Sequence, residues 1–167
     1  MRTEPEIKSV IEKYADTVRR LCFVYLKNRE DTEDVFQTVF LKYACYIKSF
    51  KSSEHEKAWI IRVTINQCKD CLKNSFRKNT VSIESIANPD GLSQFRLTPE
   101  SSSVIEAVQE LPEKYRVPVY LFYIEGYSAV EIGKMLDKNV NTVYTSLKRG
   151  RDTLREKLLK GGGEYEK

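Results

Sequence analysis

The side chains best able to do chemistry in this chain lie between Glu56 and Arg77 and recur with a helical period. At about 100° per residue, Trp59, Arg62, Asn66, Lys69, Lys73 and Arg77 fall within an arc of roughly 80°. That arc is a cationic stripe with an indole at one end. Cations neutralise phosphates, an Asn amide can read a base edge, and an indole can stack on an unpaired base. The same positions also fit a solvated helix face beside a core tryptophan, and pattern alone does not choose between the two. A second set lies near the carboxyl end, where Asn141, Tyr144, Thr145, Lys148, Arg149 and Asp152 oppose a seam of Val143, Leu147 and Leu154. A helix read out in the major groove has that arrangement, and so has an ordinary amphipathic helix of a bundle.

Other constellations point away from catalysis. Cys68-x-x-Cys71 is one CxxC without a second pair, placed inside a helical pattern, so structural thiols are expected ahead of a zinc or redox site. His55 is the only histidine and falls in a polar stretch, which leaves no His-based dyad or metal cluster. The acidic run Glu30-Asp31-Thr32-Glu33-Asp34 suits a first helical turn, where carboxylates complement the helix dipole. No cofactor, metal or small-molecule substrate is expected.

The elements that must position these residues follow from apolar spacing. Ile7, Val10, Ile11, Tyr14, Val18, Leu21, Cys22 and Tyr25 predict a first helix. Asp31 is a candidate cap for a second, with an apolar face of Val35, Phe36, Val39, Phe40, Tyr43 and Ile47. Ser49 to Glu54 reads as a polar loop, and a third helix is predicted from about Glu56 to Ser75 with Ala58, Ile61, Ile65, Cys68 and Leu72 buried.

Periodicity is lost from Asn79 to Ser103, where Asn88-Pro89-Asp90-Gly91, Thr98-Pro99 and three consecutive serines mark a linker. It returns with Val104, Ile105, Val108 and Leu111, and a further helix is predicted from Pro112 through Tyr123, in which Pro118 should cause a kink or a late start. Ser128-Ala129-Val130-Glu131 has capping-box form and opens a short helix to Leu136. Asn139 then caps a last helix with Val143, Leu147, Gly150, Leu154 and Leu158 on one side. Two helices across so short a turn make a helix-turn-helix. The expected fold is all-α: two small helical domains, 1–78 and 104–160, joined by a flexible linker, 79–103, with a flexible tail at 161–167.

Composition agrees. With 41% hydrophobic and 31% charged residues, 7 glycines and 5 prolines among 167, the chain reads as a helix-rich globular protein. Net charge is only +4, so its distribution carries the information: acids gather near Asp34, bases at Lys69 to Lys78 and Lys148 to Lys160, which suggests partners of opposite charge. Neither a cleavable leader nor a run of about 18 apolar residues is visible, and a cytoplasmic location with reduced cysteines is expected.

From about Ile7 to Leu159 these stretches resemble, in order and spacing, the extracytoplasmic-function class of bacterial sigma factors. Asn28 through Leu41 is similar to that family's polymerase-binding helix, which implies that Asp34, Gln37, Thr38 and Leu41 meet core RNA polymerase; Thr38 stands where many members carry glutamate. Trp59-Ile60-Ile61-Arg62-Val63-Thr64-Ile65-Asn66-Gln67-Cys68-Lys69-Asp70 resembles the helix that melts and reads the minus-ten element. The implied DNA contacts are Trp59, Arg62, Asn66, Lys69, Asp70 and Lys73, with the Ser49 to Glu54 loop holding a flipped base. Leu111-Pro112-Glu113-Lys114-Tyr115-Arg116 and the segments Glu125 to Ile132 and Asn141 to Arg151 resemble the domain that reads the minus-thirty-five element. Here the implied contacts are Asn141, Thr142, Tyr144, Thr145, Lys148, Arg149 and Arg151. Departures are Ser146, where many members carry arginine, and Asp137-Lys138, where glycine and an aliphatic residue are usual.

The resemblance implies an alternative sigma factor that binds core polymerase and promoter DNA, directs promoter-specific initiation and catalyses nothing; many such factors are held by an anti-sigma factor. Two other readings stand beside it. One is a helix-turn-helix regulator that does not replace the sigma factor, with a first domain that senses a ligand or dimerises. The other is a thiol-redox or zinc enzyme built on Cys68 and Cys71.

Overall fold

The computed structural model describes residues 1–26, 28–78 and 99–161, and among them all regular structure is helical. The helices are α1 (Glu4–Leu26), α2 (Arg29–Cys45), α3 (Ser53–Lys78), α4 (Pro99–Gln109), α5 (Glu113–Tyr123), α6 (Ala129–Leu136) and α7 (Val140–Gly161). The chain divides into two compact units, Met1–Leu97 and Thr98–Lys167. Most of the expected linker, 79–98, and the tail from 162 onward lie outside the described residues.

In the first unit α1, α2 and α3 pack pairwise around one core. Val18, Leu21 and Cys22 of α1 meet Val39 of α2 and Ile60, Ile61, Ile65 and Cys68 of α3 in a core where each is at most 1% exposed. The apolar residues recur every three or four positions, so each helix turns one continuous stripe inward. Helix α1 starts at a capping box: Glu6 N donates to Thr3 Oγ1 (3.4 Å), and Thr3 N donates to Glu6 Oε2 (2.8 Å). That contact holds the Glu6 carboxyl below its ordinary 4.5.

Helix α2 is capped by Asn28, not by Asp31. Asn28 has extended backbone, and its Oδ1 accepts from Asp31 N at 2.8 Å. The Asp31 carboxylate instead accepts from Asn28 Nδ2 at 2.6 Å, as the third helical residue of a reciprocal cap. The helix ends at Cys45, so Ile47 does not extend its apolar face; it stands 86% exposed in the loop that follows. Helix α3 begins earlier than its apolar stripe suggests, because Ser52 Oγ accepts from His55 N (3.1 Å) and initiates the turn before the first buried residue. The loop therefore spans 46–52, starting and ending earlier than the expected Ser49 to Glu54.

In the second unit α4 and α6 pack on α5, and α5 and α6 pack on α7. Ile105, Tyr120, Leu121, Ile132 and Val143 are at most 1% exposed. Helix α4 starts at Pro99, inside the stretch expected to be linker, since a proline at the first helical position gives up no needed hydrogen bond. Helix α5 starts at Glu113 and runs through the buried Pro118, so the late start does not occur. Helix α6 opens on the full Ser128–Glu131 capping box. It ends at Asp137 in the left-handed conformation (φ 54°), which most residues avoid and Asp tolerates by bonding locally. The turn closes tightly, with Lys138 N donating to Gly133 O at 2.8 Å. A β-carbon on Gly133 would stand 2.8 Å from Lys138 O, so the turn requires that glycine. Asn139 Oδ1 accepts from Asn141 N (2.8 Å) and starts α7.

Candidate nucleic-acid interfaces

On α3 the buried and exposed sets separate cleanly. Ile60, Ile61, Ile65 and Cys68 are fully buried, while Arg62, Asn66, Asp70 and Lys73 are exposed and Lys69 is half-buried on the outward side. The face carries three cations and one carboxylate, with the Asn66 amide among them. Such a face can hold a phosphate backbone and still offer one group with both a donor and an acceptor to a base edge. The side chain of Arg77 lies outside the described residues.

Trp59 belongs to a different environment from the rest of its stripe. Its ring is half-buried, 4.6 Å from Tyr46, 5.7 Å from Phe50 and 6.1 Å from Tyr43 between centroids. Phe50 in turn stacks on Tyr46 (5.2 Å) and on Tyr43 (6.0 Å). The indole is thus one wall of an aromatic cluster that supports the 46–52 loop. Below the cluster, Tyr43 Oη donates to Glu56 Oε1 (2.7 Å) and Tyr14 Oη to Glu56 Oε2 (3.2 Å), joining all three helices through one carboxylate.

A second exposed face lies on α2. Asp34, Gln37 and Leu41 are exposed at helical spacing and Thr38 is half-buried, its hydroxyl donating to Asp34 O at 2.9 Å. Leu41 is 66% exposed, which puts an aliphatic group amid polar neighbours. Behind that face, Arg19 of α1 lies over the Phe36 ring at 4.2 Å and 3.8 Å from Glu33, clamping α2 from the inner side.

On α7, Val143, Ser146, Leu147 and Gly150 turn inward, whereas Asn141, Thr142, Tyr144, Thr145, Lys148, Arg149 and Arg151 are exposed. Thr145 Oγ1 donates to the Asn141 backbone carbonyl (3.0 Å), which fixes the Thr145 rotamer. Leu158 leaves the seam and is 66% exposed, because α7 outruns the rest of its core. A hydrogen bond from the Arg149 guanidinium pulls the Tyr115 hydroxyl below its ordinary 10.0. Composition and period gave no sign of this contact. The Lys114-Tyr115-Arg116 stretch in the first turn of α5 is the available signal.

The thiols form no ligand set. Cys22 and Cys68 are buried with sulfurs 3.9 Å apart, and burial pushes the Cys22 thiol up. Cys71 is raised to about 11 by burial and the negative charge of Asp31. Among the described residues no group of three or more His, Cys, Asp or Glu is placed to hold a metal ion. No helix among them is long and apolar enough to cross a membrane.

Comparison with known proteins agrees with this layout. Residues 10–79 match the family Sigma-70 region 2, and residues 101–154 match Sigma-70, region 4. The chain is 29% identical over 163 residues to the ECF RNA polymerase sigma factor SigW of Bacillus subtilis, covering 89% of this chain and 87% of that protein. It is 27% identical to the ECF RNA polymerase sigma factor SigE of Mycolicibacterium smegmatis, covering 96% of this chain and 64% of that protein. Among solved structures, the sigma factor RpoE of Bartonella quintana, crystallised with the anti-sigma factor NepR, shares the fold with a TM-score of 0.72 at 20% identity. That match covers 93% of this chain and 97% of the other.

Proposed function

The chain belongs to the extracytoplasmic-function class of RNA polymerase sigma factors, and from that membership we propose how its exposed faces divide the work of initiation. The protein binds core RNA polymerase and directs it to specific promoters. Residues 1–78 act as region 2 and residues 104–160 as region 4, with the start of α4 from Pro99 added to the second unit and the chain before it as the connection. The exposed α2 face of Asp34, Gln37, Thr38 and Leu41 docks on the polymerase: a carboxylate and an amide give directional contacts, and Leu41 supplies apolar area.

The α3 face works at the minus-ten element. Arg62, Lys69 and Lys73 neutralise phosphates, Asn66 reads a base edge, and Asp70 accepts from an amino group of a neighbouring base. Extruding a base costs a few kcal/mol, which a pocket with edge hydrogen bonds and stacking can offset. The Ser49 to Glu54 stretch forms one side of that pocket, its first four residues in the 46–52 loop and the last two on the first turn of α3, with Trp59 as its support more than as a free stacking platform. On α7, Asn141, Thr142, Tyr144, Thr145 and Lys148 face the minus-thirty-five bases, while Arg149 and Arg151 hold flanking phosphates.

The observation that carries this reading is the separation, on α3 and on α7, of a buried apolar seam from an exposed cationic and amide-bearing face, one in each unit. The chain brings polymerase and promoter together and performs no bond-making step itself, acting in the cytoplasm where both are found. An anti-sigma factor, like the one bound to the Bartonella relative, is a further partner. A regulator that leaves the resident sigma factor in place is not favoured, since residues 10–79 match region 2 and not a sensing domain.

The test is run-off transcription by core polymerase over a promoter library, with and without this protein. Specific starts that depend on the protein are expected, together with permanganate reactivity at the minus-ten region that falls in Asn66→Ala. Starts that need a second sigma factor would refute the assignment.

A further inference from the structure

The amino-terminal residues reach a part of the first unit far from them in sequence. Arg2 N donates to Ala44 O at 3.0 Å, and Arg2 Nη2 donates to Lys48 O at 2.9 Å. Its guanidinium carbon lies 4.5 Å from the Tyr43 ring centroid and 5.2 Å from that of Phe50. The direction of approach is fixed by the next residue, because the Thr3–Glu6 capping box holds Thr3 on the first turn of α1. A planar guanidinium can donate in its plane while stacking with its face, so one side chain grips a loop carbonyl and two rings at once.

The gripped segment is the 46–52 loop. Its far end is pinned locally, with Lys51 N donating to His55 Nδ1 (3.2 Å) and His55 N to Ser52 Oγ (3.1 Å). Its near end, where Ile47 is 86% exposed, takes a long-range hydrogen bond from Arg2 to the Lys48 carbonyl. A loop that selects a base must be held in place before the base arrives, since ordering it on contact spends affinity and blurs selection.

We propose that Arg2 is a positioning residue for the minus-ten loop: it fixes residues 46–52 in the free protein and so sharpens base selection without touching DNA. This rests on the reading of that loop as the wall of the base pocket. Lysine at the same place can keep the charge over the ring or the bond to the carbonyl, but not both in the same geometry.

The experiment uses the full chain as Arg2→Ala and Arg2→Lys, with a loop-surface variant, Ile47→Ser with Lys51→Ser, as reference. Trp59 is the only tryptophan and packs on Tyr46 and Phe50, so acrylamide quenching of its fluorescence reports loop packing before any DNA is added. Far-UV circular dichroism checks that the helices are retained. Holoenzyme reconstituted with each variant is then assayed on a complete set of minus-ten base substitutions, and core affinity is titrated separately. Expected for Arg2→Ala are greater quenching, discrimination among minus-ten bases reduced by about fivefold, the effect of one lost hydrogen bond, and wild-type core affinity. Arg2→Lys should fall between it and the wild type. Unchanged quenching in Arg2→Ala would overturn the proposal. So would unchanged discrimination in Arg2→Ala when the loop-surface variant does shift it, and in that case the loop reading survives. If the loop-surface variant itself leaves discrimination unchanged, the loop reads no base and the proposal falls with that reading.

Discussion

Gly150 of α7 approaches Val119 of α5 so closely that a β-carbon on the glycine would stand 2.5 Å from Val119 Cγ2 and 3.4 Å from Tyr115 Cβ. Val119 is 1% exposed and β-branched, so it has neither space nor a free rotamer with which to yield. The glycine is what lets α7 sit down on α5. Gly150→Ala should raise helix propensity by about 1 kcal/mol while overpacking costs roughly 1–3 kcal/mol, a net loss of up to about 2 kcal/mol. Hydrogen exchange of α5 and α7 amides in the intact chain measures it. Undiminished protection in the variant would show that the contact relaxes freely.

Asp34→Arg should weaken binding to core polymerase and leave the fold intact. Asp34 is exposed on α2 and its side chain supports no cap, so stability should change by roughly 0.5 kcal/mol or less. Phe36, on the inner side under Arg19, is the contrasting position, where truncation would loosen the helix itself. Unaltered core affinity for Asp34→Arg in a pull-down titration would remove the α2 face from the polymerase interface.

Asn141 and Arg151 should fail in different ways. Losing a bidentate amide contact costs about 1–3 kcal/mol at one base pair, so Asn141→Ala should alter which minus-thirty-five bases are preferred. Arg151→Ala should weaken all promoters alike and lower the salt dependence by about one counterion. Holoenzyme binding across minus-thirty-five variants at several salt concentrations separates the two. An Asn141→Ala protein with wild-type base preference would mean that α7 is not the reader.

The thiols make a pH-dependent prediction. Cys45 is exposed, whereas Cys22 and Cys68 are buried and Cys71 is half-buried. Brief iodoacetamide treatment near neutral pH should therefore give one adduct, at Cys45, by mass spectrometry. Cys71 titrates at about 11 in the fold against an ordinary 9.0, so its neutral thiol supports the fold below pH 9.0 and that support is lost as pH rises towards 11. The first unit should lose stability over that interval, and a Cys71→Ser variant should lose less of it. Early labelling of Cys71 near neutral pH would contradict its placement.

The helices and their outward faces were legible in the sequence because the helical period is local. Spacing of three and four places Asp34 with Gln37 and Leu41, Arg62 with Asn66 and Lys73, and Asn141 with Tyr144 and Lys148, whatever the helix packs against. Capping chemistry is local too, which is why Ser128 and Asn139 marked their helices from sequence. At the start of α2 both Asn28 and Asp31 are competent caps, and backbone geometry chose the first. Tertiary structure decided the rest. Packing left Ile47 and Leu158 outside their stripes, turned Trp59 into the aromatic cluster, set Cys22 against Cys68, put Tyr115 beside Arg149 and brought Arg2 to the loop. Most of these contacts join residues distant along the chain, and periodicity carries no information about which stripes will meet. They exist only once burial of the apolar faces has brought the helices together.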